Sequence, residues 1–290
     1  MLGDHAALGR LLLQQSGLPG PRANLELAAA FADVVAERGP VEAPWDLLFE
    51  WATLGAAEAP TNHPRVYLSV CALQALATLF VDAEAPMRER IAVVLGQAAE
   101  DDRWRVREAA AMGLQRVGER DLEPFFALVE AWAEASSQRR QRAALVALAH
   151  PPLLGKTETA LRALDLTDAV LRRFEQRMRP GMGSRNEADW VDDPGSDDER
   201  PARGLRRRST AGLGPSSEDE RVLQKALEFA PSVLVAAAPD AGFAMLRRWA
   251  SSSSPLVLRI VAANLRKSRL ARRFPAEVEV VGEVLAASAE

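Results

Sequence analysis

The residues able to do acid–base, nucleophilic or metal chemistry are few and scattered. The three histidines, His5, His63 and His150, form no HExxH or Cys/His spacing, so the sequence predicts no metal site. A nucleophile triad needs a histidine held by a carboxylate beside a Ser or Cys, and no two of these histidines are neighbours in the chain. Gly155-Lys156-Thr157 ends like a phosphate-binding loop. However, His150 stands where such a loop needs its first glycine, two prolines follow it, and no strand precedes it. The sole cysteine, Cys71, excludes an internal disulfide and lies in an apolar helical stretch without a basic neighbour, as expected of a small core residue. Glu108 is the one weak candidate for a general base. No cofactor motif is present.

The arginines carry more information. Ranked guanidinium groups suit phosphates or carboxylates. Arg103, Arg105, Arg107, Arg139, Arg140, Arg142, Arg259, Arg266 and Lys267 form the expected binding set, if the helices that bear them line one concave face. The alternative is structural: Arg107, Arg142 and Arg259 would each pair with an acid of a neighbouring turn and hold helices together. Trp104, set between Arg103 and Arg105, and Phe229 are the aromatic candidates. Trp51, Trp132 and Trp249 are expected to staple helix ends into the core.

The positioning elements all read as helices. Residues 101–117, DDRWRVREAAAMGLQRV, predict an amphipathic helix capped by Asp101 or Asp102, with a stripe through Val106, Ala110, Leu114 and Val117. EAWAEASSQRRQRAALVAL (130–148) overlays LRRWASSSSPLVLRIVAANL (246–265) without a gap, so that Trp132 meets Trp249, Arg142 meets Arg259 and Leu148 meets Leu265. Each copy is a helix ending in Trp-Ala, a polar turn, then a helix opening with arginine. Arg107 precedes Arg142 by 35 positions, and Val70–Leu76 echoes Ala111–Val117 at an offset of 41. Helix pairs at such periods are the spacing of α-solenoids. On these residues the chain resembles HEAT-repeat proteins, specifically uncharacterised bacterial ones, and that resemblance implies an all-α fold, an α-solenoid of HEAT-like helical repeats.

A second resemblance covers the C-terminal third. Leu223-Gln224-Lys225-Ala226-Leu227 matches a Gln-Lys-Ala run of the alkylpurine DNA glycosylases, whose HEAT-like repeats grip duplex DNA. Phe229 falls where that family has an aromatic residue lining its lesion site. The family also has a catalytic aspartate shortly after a tryptophan. In Trp104-Arg105-Val106-Arg107-Glu108, arginine stands where that acid is wanted and Glu108 is the nearby carboxylate.

Composition agrees with helices: only 6% of the 290 residues are aromatic and tyrosine occurs once, which disfavours sheets. The net charge of -4 hides an asymmetry, because residues 1–64 are rich in acids while 244–274 hold Arg247, Arg248, Arg259, Arg266, Lys267, Arg269, Arg272 and Arg273 and no acid. Three stretches are expected: HEAT-like repeats over 1–178, a low-complexity and disordered insertion over 179–217, and C-terminal repeats with a terminal helix over 218–290. No targeting segment or membrane span is evident, so a cytoplasmic protein is expected. The functional expectation is a non-catalytic scaffold whose partner is a protein or acidic peptide segment bound on the concave face. The alternative is a DNA-backbone binder related to the glycosylases, with nucleic acid as partner.

Overall fold

The computed structural model describes residues 5–178 and 217–289, and every regular element among them is helical. The expected insertion lies outside these residues except for Ser217. The first block runs α1 (His5–Gln14), α2 (Leu25–Glu37), α3 (Gly39–Glu42), α4 (Trp45–Ala52), α5 (Val66–Leu79), α6 (Ala85–Glu100), α7 (Trp104–Arg120), α8 (Leu122–Glu134) and α9 (Gln138–Leu148). A 3-10 turn at Pro151–Gly155 then leads into α10 (Thr157–Met178). The second block runs α11 (Glu218–Leu227), α12 (Ala230–Ala237), α13 (Pro239–Ala250), α14 (Pro255–Leu265), α15 (Ser268–Ala271) and α16 (Pro275–Ala289).

Helix α5 is the axis of the first block. Its sequence is apolar almost all round, so it can be stable in water only if surrounded, and every one of its residues is buried. Helices α2, α4 and α7 cover it. Its few polar groups are satisfied: Ser69 donates to Trp51 O at 2.9 Å, and Arg116 reaches the Gln74 amide oxygen at 3.1 Å. Tyr67 donates to Asn24 O at 2.5 Å, while the Asn24 side chain accepts from Leu27 N and so caps α2, as its sequence predicts. A helix enclosed on every side offers no open face to a partner.

The two aligned segments fold alike. Helices α8 and α9 pack on each other across a short turn, as do α13 and α14, and Trp132 and Trp249 are both buried. Trp249 also donates its indole N–H to Asp168 on α10 at 2.6 Å.

Three expected helix bounds shift, each for a local reason. Helix α7 starts at Trp104 rather than at the aspartates, because the Asp101 carboxylate accepts from both Arg103 N and Nε (2.7 and 2.8 Å) and turns the chain just ahead of the helix. The run 218–239 breaks into α11 and α12 at Glu228-Phe229, with Pro231 setting a new first turn. The run from Pro255 onward breaks after Leu265, so that Lys267 precedes the short α15.

Candidate functional site

The nine expected binding residues divide by burial. Arg103 and Arg107 are corrections to the expectation of a shared open face, since both are buried and both hold loops. The Arg103 guanidinium donates to Ala59 O (2.9 Å) and Leu54 O (2.7 Å) and pairs with Asp101 at 2.6 Å. Arg107 donates to Asp101 O and Asp102 O (2.7 and 2.8 Å). A buried guanidinium is stable only when its donors are matched, and backbone carbonyls in loops need such donors equally. Burial pushes the Asp101 carboxyl up. The hydrogen bonds and charge of Arg103, with the charge of Arg107, outweigh burial and hold it below its ordinary value.

Arg139, Arg140 and Arg142 sit at the start of α9 and are committed to acids. Arg139 bridges Asp102 (2.9 Å) and Asp219 (2.6 Å), tying the α6–α7 turn to α11. Arg140 meets Glu100 at 2.9 Å, and Arg142 is ion-paired with Glu108 on α7. Hydrogen bonding to Asp102 raises the Arg139 pKa above its ordinary value, against the opposing effect of burial. Glu108, the candidate base, therefore serves as a tie between α7 and α9.

Arg105 belongs to a different setting. It lies with Trp104 and Glu108 on a cleft of about 630 Å³ between the first turn of α7, the N-terminal turn of α2 and the loop before α2. Trp104, Glu108 and Met112 follow at intervals of four, so they share one side of α7. Leu25 and Val70 complete the apolar wall. Trp104 and Leu25 are each 47% exposed, an unusual state for large apolar side chains on facing elements. The Arg105 guanidinium lies over the Trp104 ring at 4.3 Å, donates from Nε to Thr61 O at 3.1 Å and from Nη2 to Gly20 O at 2.6 Å.

The remaining candidates gather at the C-terminal end. Phe229 is 42% exposed at the α11–α12 break, with Arg269 4.7 Å and Lys267 5.9 Å from its ring centre. Arg259 and Arg266, seven positions apart along α14 and its C-cap, lie on one side of that helix and are exposed. Arg272 and Arg273 are exposed beside them in sequence. Among the described residues no carboxylate is within ion-pair distance of Arg259, Arg266, Lys267, Arg269, Arg272 or Arg273. The break is fixed by Asn264, fully buried, whose amide donates to Leu227 O and Ile260 O (2.8 Å each) and whose oxygen accepts from Ser232 N at 2.9 Å.

The structure thus unites Trp104, Arg105 and Glu108, and separately Phe229 with Lys267. Leu25, Val70 and Met112 in the cleft, and Arg269 at the basic end, are absent from the expected set. For the first three no sequence signal existed, because an apolar residue at a cleft and one in the core read alike. Arg269 was signalled by the acid-free run around it. Among the described residues no group of three or more His, Cys, Asp or Glu side chains is arranged to hold a metal, and no helix is long and apolar enough to cross a membrane. Comparison of the sequence with known protein families and with curated proteins found no match.

Proposed function

We propose that the chain is a non-catalytic scaffold of HEAT-like helix pairs, stacked as an α-solenoid, that binds an acidic protein segment. The binding surface is the basic C-terminal end around Phe229, in place of a groove shared by every arginine. One observation carries the reading: the cations from Arg259 to Arg273 have no carboxylate partner among the described residues, whereas Arg103, Arg107, Arg139, Arg140 and Arg142 are bonded within the chain. Unpaired, exposed guanidinium groups remain available for bidentate bonds to carboxylates, and the half-exposed Phe229 supplies an apolar anchor at their centre. The α8–α9 and α13–α14 pairs support the stacked-repeat part of the reading.

Fluorescence anisotropy with a labelled acidic peptide containing aromatic residues, a neutral peptide of the same length and a duplex DNA separates the partners. The acidic peptide should bind with a Kd on the order of micromolar, weakening as ionic strength rises through about 0.15 M, while the neutral peptide should not bind. Tighter retention of duplex DNA than of the peptide, with affinity falling steeply as salt rises, would transfer the site to nucleic acid. Binding of neither would remove the reading.

A further inference from the structure

The cleft at Trp104 is a second site, separate from the basic end and independent of the reading given to it. Its size falls in the range of small-molecule sites. Its wall is apolar, from Leu25, Val70, Met112 and Trp104. Its one deeply set charge is Arg105, only 4% exposed. That charge differs from its neighbours in how it is met. Arg103 and Arg142 each face a carboxylate, whereas Arg105 is held by two neutral carbonyls, those of Gly20 and Thr61. Its Nη1 donor has no protein acceptor among the described residues, and burial lowers its pKa below the ordinary arginine value without any acid to offset the effect. Glu108, the acid nearest to it on α7, is turned to Arg142. At the rim, Arg22 and Glu26 are both exposed and cancel in charge.

We propose that this cleft binds a small amphipathic carboxylate, with its apolar body against Trp104, Leu25 and Met112 and one carboxylate oxygen accepting from Arg105 Nη1. A guanidinium pinned by two carbonyls and stacked on an indole is fixed before the ligand arrives, so little side-chain freedom is lost on binding. A low-dielectric wall beside the charge strengthens its attraction for an anion and penalises a cation.

Titration of the full chain with decanoate, decanol and decylamine, followed by tryptophan fluorescence and calorimetry, tests the proposal. Decanoate should saturate one site, and decanol and decylamine should each bind at least about tenfold more weakly. Trp104→Ala removes an exposed ring, so it should weaken decanoate binding about tenfold while leaving the melting temperature within about 2 °C of the parent. The charge comparison needs no substitution at Arg105, which also ties two loops. Decylamine binding as well as decanoate, no saturation by decanoate, or unchanged decanoate affinity in Trp104→Ala would each overturn it.

Discussion

Arginine at one position of this chain is a strut and at another a free cation, and side-chain burial decides which. Arg103 satisfies Leu54 O and Ala59 O and neutralises Asp101. Arg103→Met would leave two loop carbonyls and a partly buried carboxylate without partners, so it should cost about 3 kcal/mol in urea unfolding; a loss below about 1 kcal/mol would mean that water replaces those bonds. The Asp101 carboxyl is held below its ordinary pKa, so its contribution is fully present above the unfolded value of about 4 and lost as pH falls through the folded value. In Asp101→Asn the decline of stability below about pH 4 should therefore be shallower than in the parent. Cys71 is fully buried, and burial pushes its thiol up to about 12, with the Tyr67 hydrogen bond opposing. It should stay unreactive to a thiol reagent at neutral pH in the native protein and react fully in denaturant; fast native labelling would show that α5 opens. The character of Cys71 was legible from its apolar neighbours. The division among arginines was not, because residues 103, 105 and 107 carry the same side chain and only the carbonyls they meet tell them apart.

Helix identity follows from hydrophobic period and caps, but helix breaks follow from contacts far away in sequence. The period, Asn24 and Ser137 announced α2 and α9, and both side chains do accept from the first turns of those helices. The break at Phe229 depends on Asn264, 37 positions from Leu227, and nothing local in 218–239 marks it except Pro231. Asn264→Ala should cost about 2–4 kcal/mol, since it leaves Ser232 N and Leu227 O unpaired inside the core; chemical denaturation measures it, and a neutral effect would show that the break stands without this side chain. Close helix contact makes an opposite pair of predictions at glycine. A Cβ at Gly242 would lie 2.6 Å from Val235 Cα, a backbone atom of α12 that cannot swing away, whereas a Cβ at Gly282 on α16 would meet nothing within 4 Å. Gly242→Ala should destabilise despite the better helix propensity of alanine, and Gly282→Ala should stabilise by about 0.5–1 kcal/mol. Equal melting shifts in the two would contradict the tight α12–α13 approach.

Across the whole molecule, all-helical architecture was legible because alanine and leucine recur at helical period over most of the chain, and the α8–α9 and α13–α14 pairs share one plan. What the alignment of Arg142 with Arg259 could not convey is that the first meets Glu108 while the second is exposed without an acid partner. The charge asymmetry acquires a structural meaning from that difference. Acids of the first block are drawn into ties such as Arg116–Asp33 (2.7 Å) and Arg120–Asp82 (2.6 Å), while the cations near α14 and α15 keep their charge for solvent or a partner. The most direct test is a comparison of two charge reversals in the same acidic-peptide titration: Arg266→Glu with Arg269→Glu at the basic end, and Arg140→Glu on α9. The first pair should weaken peptide binding by at least about tenfold with the melting temperature nearly unchanged. Arg140→Glu should lower stability and leave the affinity of the folded protein as it was. Unaltered binding in the basic-end variant, or loss of binding in a still-folded Arg140→Glu protein, would contradict the account.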